Sequence, residues 1–553
     1  MLRRKFSYLI APLFILLIAI NTALPQIHIS GGLSGVLEDT TYIVEGDIWV
    51  EEGDSLVIEA GAILLFDGSF SLTISGKLSA VGAEADSIYF VPNTGVHYFS
   101  GLVIDSTGEN DNRLAYCYIS EAFGTGIDCY SSTLNLENCT IVECSGTYGG
   151  ALYGNNSILN IDDCLVKNNV AAQRGGGLYC TNNSQLTITG STFKADSANM
   201  GGGICVWNSK WQIDGCIIDS NYAFNNLSGN SGKGGGIYTF SGDSTSYIRN
   251  CRISNNSARG NYNQYSAIAG GLYCGTYKTT IQRCLFANNS SLEASYNFAG
   301  GGAILISNTD SVVVANCTFN GNSSVGYAGG VFIHESSASI INSIFYENSG
   351  GNVINCYSSN WETINYCDFF DNNVIQNVWY GPDSIGILAA TNINGDSCDI
   401  YSNIFLDPLF YSTTGDSAFC LTEESPCIDA GDPAIPLDPD GTIADIGMFY
   451  FDQSVLVKPG SSAPQSTAYS LSPAYPNPFN AQTTITFTIA SHCWVEMAVY
   501  DVMGREVAVL LNQQQAAGSW QLTWDAGGLG SGVYFAIMRA DGFSQARKMI
   551  LVK

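Results

Sequence analysis

Between residues 117 and 372 the apolar positions return in one fixed order, ten times over. An aliphatic side chain stands at Leu114, Leu136, Ile161, Ile188, Ile213, Ile248, Ile281, Val314, Ile340 and Ile364. Three residues after each comes a small one: Cys117, Cys139, Cys164, Ser191, Cys216, Cys251, Cys284, Cys317, Ser343 or Cys367. Two residues further lies Ile119, Ile141, Val166, Phe193, Ile218, Ile253, Phe286, Phe319, Phe345 or Phe369. In seven of the ten an asparagine closes the set: Asn169, Asn221, Asn256, Asn289, Asn322, Asn348 and Asn372. Residues at i and i+2 of a strand share a face, so the small residue and the Ile/Phe position both point inward. Fixed columns at a near-constant period predict a solenoid, coil on coil, with like residue stacked on like.

The turns follow from the same register. Asn138, Asp163, Gly190, Gly215, Asn250, Asn316 and Asn342 precede the small column, and these are residue types that accept a left-handed backbone. The asparagines fall at the next bend, where stacked amides can hydrogen-bond from coil to coil. Glycine clusters introduce a third strand at Gly149-Gly-Ala-Leu152, Gly175-Gly-Gly-Leu178, Gly201-Gly-Gly-Ile204, Gly234-Gly-Gly-Ile237 and Gly300-Gly-Gly-Ala-Ile304. Upstream, alternating runs such as Ser55-Leu-Val-Ile-Glu59 and Ser71-Leu-Thr-Ile-Ser75 read as opening coils. Residues 375–451 leave the register and read as closing coils. A Ser/Pro/Gln linker over 452–468 follows, and ordinary short alternating strands occupy 469–553.

With these residues in view, the chain resembles a right-handed parallel β-helix of pectate-lyase-like architecture. Its Phe-x-x-Asn pairs (Phe286 to Asn289, Phe319 to Asn322, Phe345 to Asn348, Phe369 to Asn372) and Gly301-Gly-Ala-Ile304 resemble the repeats of chlamydial polymorphic membrane proteins, which are surface adhesins. Each motif is also explained as an interior column. The stretch Ser425-Pro-Cys-Ile-Asp-Ala-Gly-Asp432, after Asp407-Pro-Leu-Phe410, resembles the end of many bacterial surface β-helix proteins. Tyr475-Pro-Asn-Pro-Phe-Asn480, Val499-Tyr-Asp-Val-Met-Gly-Arg-Glu-Val507 and Gly532-Val-Tyr-Phe535 resemble the type A C-terminal sorting domain of type IX secretion, a small β-sandwich. That resemblance implies the type IX machinery as a partner acting through residues 469–553, and a destination outside, or on the outer surface of, a Gram-negative-type bacterium. The expected fold class is all-β: a right-handed parallel β-helix over residues 24–451, then a small C-terminal β-sandwich.

Composition adds the setting. Met1 to about Ala23 reads as a secretory signal, with Arg3, Arg4 and Lys5 ahead of an apolar run from Leu9 to Ile20; an uncleaved anchor is the other reading. No later stretch is apolar for long enough to cross a membrane as a helix, so the mature chain is expected to lack a spanning segment. The formal net charge is −28, and no basic stripe interrupts it, which excludes a nucleic-acid partner. Eighteen cysteines in an exported chain ordinarily suggest a disulfide framework, but most of these share one column, where a small buried side chain suits a stack. Cys420 and Cys427 lie outside it and are the best disulfide pair. No CxxC occurs and His28, His97, His334 and His492 are scattered, so zinc is not expected.

Measured from the cysteine column, coil length varies at only one bend. The runs Asn221 to Gly234, Asn256 to Gly270 and Asn289 to Gly300 are long, whereas Asn169 to Gly175 and Asn322 to Gly329 are short. Three long loops leaving the same bend should form a wall carrying Tyr222, Phe224, Asn225, Asn226, Tyr262, Asn263, Tyr265, Tyr296 and Asn297. Flat rings with amides beside them suit sugar rings, although loops also pack such residues on themselves. Lys167, Lys194 and Asp219, outward beyond the cysteine column, sketch the base and cations of a polysaccharide lyase; the plainer reading is a solvated sheet face. Asp438, Asp440 and Asp445, around Gly441, offer a weak calcium site, with a structural turn as the alternative. No other cofactor is expected. The first expectation is a non-catalytic surface β-helix that binds polysaccharide or a surface partner; a lyase or hydrolase on the same scaffold and a structural surface-layer component remain alternatives.

Overall fold

The computed structural model describes residues 26–96, 98–108, 111–224, 231–242, 245–260, 268–292, 300–374, 376–415, 418–453, 469–490, 493–502, 505–515, 518–540 and 543–552. The signal segment and the 454–468 stretch of the linker lie outside them. Among the described residues there is no helix, and therefore none long and apolar enough to cross a membrane. The chain falls into two compact units, one holding the coils through residue 409 together with 424–450, the other holding 410–423 and 451 onward.

One coil shows the plan of the first unit. Thr133–Glu137 is its aliphatic face, Thr140–Val142 its cysteine face, Ser145–Tyr148 a short face, and Leu152–Asn155 a fourth face after the glycines. The next coil repeats it as Ile158–Asp162, Leu165–Lys167, Val170–Arg174 and Leu178–Thr181, each strand parallel to its counterpart. The sequence reading placed three strands in each coil, and the short face is an addition. It lies where the asparagine bend was thought to pass directly into the glycines, and its strands are too brief for alternation to reveal. The aliphatic faces make a thirteen-stranded sheet and the short faces an eight-stranded one. The other two ladders join at the N-terminal end through one long strand, Thr41–Val50, which pairs with both Ile63–Phe66 and Leu72–Ile74.

The predicted columns are the observed registers. Leu114 pairs with Leu136, then Ile161, Ile188, Ile213, Ile248, Ile281, Val314, Ile340 and Ile364 in turn. Phe286, Phe319, Phe345 and Phe369 stack with centroids 5.1, 4.6 and 5.0 Å apart and rings within 7° of parallel. All ten residues before the small column have φ between 48° and 63°, including Tyr116, Arg283 and Tyr366, whose side chains do not favour it. Left-handed residues also mark the bend before the asparagines (Asn168, Ser220, Asn255, Asn288) and the bend after the fourth face (Asn156, Asn208, Ser241, Asn308).

Each bend carries a polar ladder that accounts for buried backbone groups which the strands leave over. At the asparagine bend, Asn256 Nδ2 donates 2.9 Å to Ile218 O of the coil before and 3.0 Å to Asn289 Oδ1 of the coil after. The same geometry recurs at Asn221, Asn289, Asn322 and Asn348. Cys144 and Asp196 stand in for asparagine where the column lacks it, their neighbours bonding to them or through them. At the first bend Cys164 Sγ and Cys251 Sγ accept the backbone N–H of Cys139 and Cys216 at 3.4 Å, while Ser191 Oγ and Ser343 Oγ do so for Cys164 and Cys317. Serine hydroxyls do it at the third bend, from Ser132 through Ser157 and Ser184 to Ser209. Thiol and hydroxyl interchange in one column because both fill a small space and accept one N–H.

All eighteen cysteines are buried free thiols. The pairing offered for Cys420 and Cys427 is therefore absent. Cys427 instead lies 3.5 Å from Asp368 Oδ2 within the solenoid, whereas Cys420 belongs to the other unit. Burial pushes thiols such as Cys180 and Cys367 up to about 12, which keeps them protonated and unreactive.

Past Phe370 the coils give way to a partial turn and then a strap. Asn403 takes the place of the small column, accepting Cys367 N–H at 2.9 Å and donating to Ile364 O. Residues 427–448 then run out along the first bend and return, touching its left-handed residues on the way. Asp432 N–H bonds Asn342 Oδ1, Asn316 Nδ2 bonds Asp445 O, and Arg283 pairs with Asp438 at 3.1 Å.

The second unit contains antiparallel strands in two sheets. One holds Ser470–Leu471, Gln482–Ile489 and Gly518–Asp525; the other has the order Glu506–Gln515, Cys493–Asp501, Gly532–Ala540, Phe543–Leu551. Their inward positions, among them Phe487, Val495, Met497, Trp524 and Met538, form one core between the sheets.

Candidate functional site

The fourth face carries chemistry that the column analysis passed over. Its inward residues, such as Leu152, Leu178, Ile237 and Leu272, belong to the solenoid core. The residue after each points outward, and in register these run Asp128, Tyr153, Tyr179, Cys205, Tyr238 and Tyr273. Two residues on, a second outward column includes Tyr130, Asn155, Thr181, Trp207 and Phe240. The end of the short face supplies a third, Tyr148, Arg174, Met200 and Lys233 on consecutive rungs.

The glycines make these columns converge. A Cβ on Gly176 would sit 2.2 Å from Gly202 O, and one on Gly202 2.3 Å from Gly235 O, so the corner tolerates no side chain. Gly149, Gly175, Gly201 and Gly234 take φ of 61–64°, which glycine adopts without strain. The chain folds inward there, and outward side chains from the two arms meet across a groove along the solenoid axis. Tyr148 lies 5.6 Å from Tyr179, and Tyr153 stacks on Tyr179 at 5.5 Å and 13°. Tyr130 meets Tyr153 edge-on at 5.6 Å. Arg174 Nη1 donates 2.8 Å to Tyr179 Oη, with its guanidinium 4.3 Å above the Trp207 ring. Further along, Trp207 packs 4.8 Å from Phe240, Tyr238 lies 4.6 Å from Tyr273, and Lys233 Nζ stands 6.0 Å over Tyr273. Tyr179, Tyr238 and Tyr273 are buried, whereas Tyr130, Tyr148, Tyr153, Trp207 and Phe240 keep part of their rings in solvent.

Charge along the groove is uneven. Desolvation raises the Asp128 carboxyl to about 6, against a smaller lowering from Thr125, and leaves it near half-protonated in mildly acidic water. Burial pushes Tyr130 up to about 12 and raises Tyr153, with Asp128 adding to both. Burial lowers Lys233. Neither Arg174 nor Lys233 forms an ion pair with a described residue, unlike Lys194, Arg249 and Arg283. The same face ends in a shallow depression of about 400 Å³ lined by Cys356, Tyr357, Ser358, Ser359 and Tyr380.

The sequence-predicted sites fare differently. Of the loop wall, Asn225, Asn226, Tyr262, Asn263, Tyr265, Tyr296 and Asn297 lie outside the described residues. Tyr222 is half-buried on the short face, between Ser197 and Ser257, with Phe224 6.4 Å away. Lys194 and Asp219 do come together, at 2.7 Å, on the cysteine face. Burial alone would raise Asp219, but Lys194, Asn255 and Ser254 hold it below the usual range. Its Oδ1 already accepts Ser254 Oγ and Asn255 Nδ2, so it is a saturated structural acceptor and a poor base. Asp438, Asp440 and Asp445 are spent locally: Asp438 on Arg283 and Asp445 N–H, Asp440 on Thr442, Asp445 on Asp429 N–H. Among the described residues no three His, Cys, Asp or Glu side chains gather as a metal site.

A signal for the groove was present in the sequence. Gly-x-Leu-Tyr or Gly-Gly-Ile-Tyr recurs, with Tyr153, Tyr179 and Tyr238 each one residue beyond the motifs used to define the third strand and Tyr273 after Gly270-Gly-Leu272. Periodicity separates inward from outward positions; it does not tell which outward column faces a concave corner.

Comparison with known proteins agrees with this architecture. The family model for the right-handed beta helix region matches residues 44–193 and 170–328, and that for the secretion system C-terminal sorting domain matches 473–553. A metabotropic glutamate receptor-like protein R of Dictyostelium discoideum is 26% identical over 401 residues, covering 64% of this chain and 23% of that protein. The chain thus spans less than a quarter of that relative's length. Among solved structures, an alginate lyase in complex with G6 has a TM-score of 0.29 at 10% identity, covering 67% of this chain and 86% of the lyase. The pectate lyase Pel9A has a TM-score of 0.28 at 15% identity, covering 71% and 88%. Likenesses this low carry no argument about function.

Proposed function

The chain belongs to the right-handed β-helix family and ends in a secretion-system sorting domain, and from that premise we propose that it is an exported protein that binds a glycan chain along the tyrosine groove without turning it over. The sorting domain makes it a secreted or outer-surface protein and implies handling by the secretion machinery. The binding reading rests on one observation above all: partly exposed rings line a concave corner rung after rung. Rings at the ~4.8 Å strand spacing offer flat apolar faces along an extended polymer. Hydroxyls of Tyr130, Tyr148 and Tyr153 and the Asn155 amide add donors and acceptors at the ring edges. Such a groove suits a linear ligand better than a compact one. Phe224, Gly260 and Leu292 follow the short face and Ser231, Ile268 and Gly300 precede the next fourth face, so the loop-wall residues between them are included in the same proposal.

A carbohydrate-active enzyme on this groove is the second reading, and Asp128 is the observation that favours it. A carboxyl raised to about 6 among tyrosine hydroxyls is a serviceable general acid. The full exported chain tested on a glycan array, in parallel with reducing-sugar and unsaturated-uronate assays, separates the two. Binding without product supports the non-catalytic reading. Product release that is lost in Asp128→Asn overturns it in favour of the enzyme.

A further inference from the structure

The two cations of the groove single out what kind of glycan it takes. Arg174 and Lys233 project from the same column of the short face, with Met200 on the rung between them. Two rungs correspond to roughly 9–10 Å, about the length of a disaccharide unit in an extended chain. Both cations are half-buried against aromatic rings. Taking a cation partly out of water without a counter-charge is costly, and proteins ordinarily offset that cost with a carboxylate. This chain has forty-nine Asp and Glu against twenty-one Lys and Arg, so carboxylates are plentiful. Elsewhere on the solenoid they are used: Asp219 meets Lys194, Asp214 meets Arg249, and Asp438 meets Arg283. At Arg174 and Lys233 no described carboxylate forms a pair. Tyr179 Oη occupies one of the five guanidinium donors of Arg174, leaving others available. The acidic side chain of the groove, Asp128, lies one rung before Tyr153 and three before Cys205, at the opposite end from Lys233.

We propose that Arg174 and Lys233 are specificity-determining residues that select an acidic glycan, one that turns a carboxylate or sulfate toward the groove once in every two sugars. The rings hold the sugar faces and the two cations hold successive anionic groups on one side of the chain. This rests on the glycan-binding reading of the same groove and adds the charge and spacing of the ligand.

The test is calorimetry of the full exported chain against hyaluronate, with one carboxylate per disaccharide, and κ-carrageenan, with one sulfate per disaccharide. The neutral probes are carboxyl-reduced hyaluronate and desulfated carrageenan. At least one acidic polymer is expected to bind at least about tenfold more tightly than its neutral form, the size of one charge-assisted hydrogen bond. Whichever does so identifies carboxylate or sulfate as the group read. Arg174→Gln and Lys233→Gln should each remove about tenfold of that affinity and reduce its salt dependence, while Arg174→Lys retains most of it. Lys233→Gln keeps the test decisive if Arg174→Gln melts early, because among the described residues the Lys233 side chain makes no hydrogen bond whose loss would disturb the fold. Equal binding of acidic and neutral forms, or unchanged affinity for the acidic form in both variants, overturns the charge selection. If the neutral forms bind and Tyr153→Ala weakens that binding about tenfold, the groove reading stands and only the charge selection falls. If no acidic or neutral polymer binds, both fall.

Discussion

The asparagine ladder inside the solenoid and the tyrosine row outside it are both columns repeated coil upon coil, yet they end in opposite ways. Inside, every asparagine from Asn221 to Asn348 donates to the coil before and is met by the coil after, which uses its polar atoms fully. Outside, Tyr130, Tyr148, Tyr153 and Trp207 stack on neighbours but keep solvent-facing surface, and the cations among them pair with no described carboxylate. A repeat that satisfies itself builds a fold. A repeat that leaves groups unsatisfied toward solvent is available to a ligand. The cysteine face provides a third case, outward and charged but already paired through Lys194 and Asp219.

Substitutions that separate these columns test the comparison, beginning with the largest expected effect. Asp196 is a flaw in the ladder. It is fully buried in the asparagine column, and its Oδ2 lies 3.0 Å from a notional Cβ on Gly177, as Asn221 Nδ2 does from one on Gly203. That oxygen has no hydrogen-bond partner, and desolvation, opposed by bonds from Asn169 and the Lys194 backbone, raises the carboxyl to about 8. The folded state therefore holds a proton that the unfolded chain, near 3.9, releases. Stability from this group is full below about pH 4 and declines as pH rises to about 8, by on the order of a few kcal/mol. Asp196→Asn restores the amide donor and should flatten denaturation midpoints across that window, with the largest gain at the alkaline end. An unchanged slope would mean that the carboxyl is ionised in the fold.

Asn256→Ala removes a sound member of the ladder. It strands Ile218 C=O and Asn221 N–H in the core, and about 3 kcal/mol of stability should be lost in urea unfolding, with the glycan affinity of the folded fraction retained. Tyr153→Ala is the converse. Glycan affinity is expected to fall about tenfold, while the denaturation midpoint moves much less than in Asn256→Ala. If the two variants changed stability equally, the row would be part of the fold and the distinction would fail. Lys194→Ala breaks a partly exposed pair and should alter stability by under about 1 kcal/mol and glycan binding not at all.

Much of the architecture was legible because a solenoid repeats its constraints. Leu114 to Ile364, Cys117 to Cys367 and Ile119 to Phe369 could be aligned from spacing, and each became a stacked register. The left-handed bends were legible where Asn, Asp or Gly marked them, but not at Tyr116, Arg283 or Tyr366, where the coil imposes the conformation on residues that do not favour it. The cysteines read correctly as a stack in their column. Cys427 did not read as a partner of Asp368, because fifty-nine residues separate the two and only the returning strap brings them together.

The sequence by itself determined the coil, its inward columns, its polar ladder at the asparagine positions, and the export domain, since each depends on local period or a contiguous motif. The tertiary structure decided which outward residues meet. Tyr148 and Tyr179 sit thirty-one positions apart and on different faces, and they touch because the glycine corner folds inward. Whether an outward column lies on a flat sheet or in a groove depends on the angle between neighbouring faces. That angle is set by crowding at Gly176 and Gly202, where the backbone of the next coil leaves no room for a Cβ.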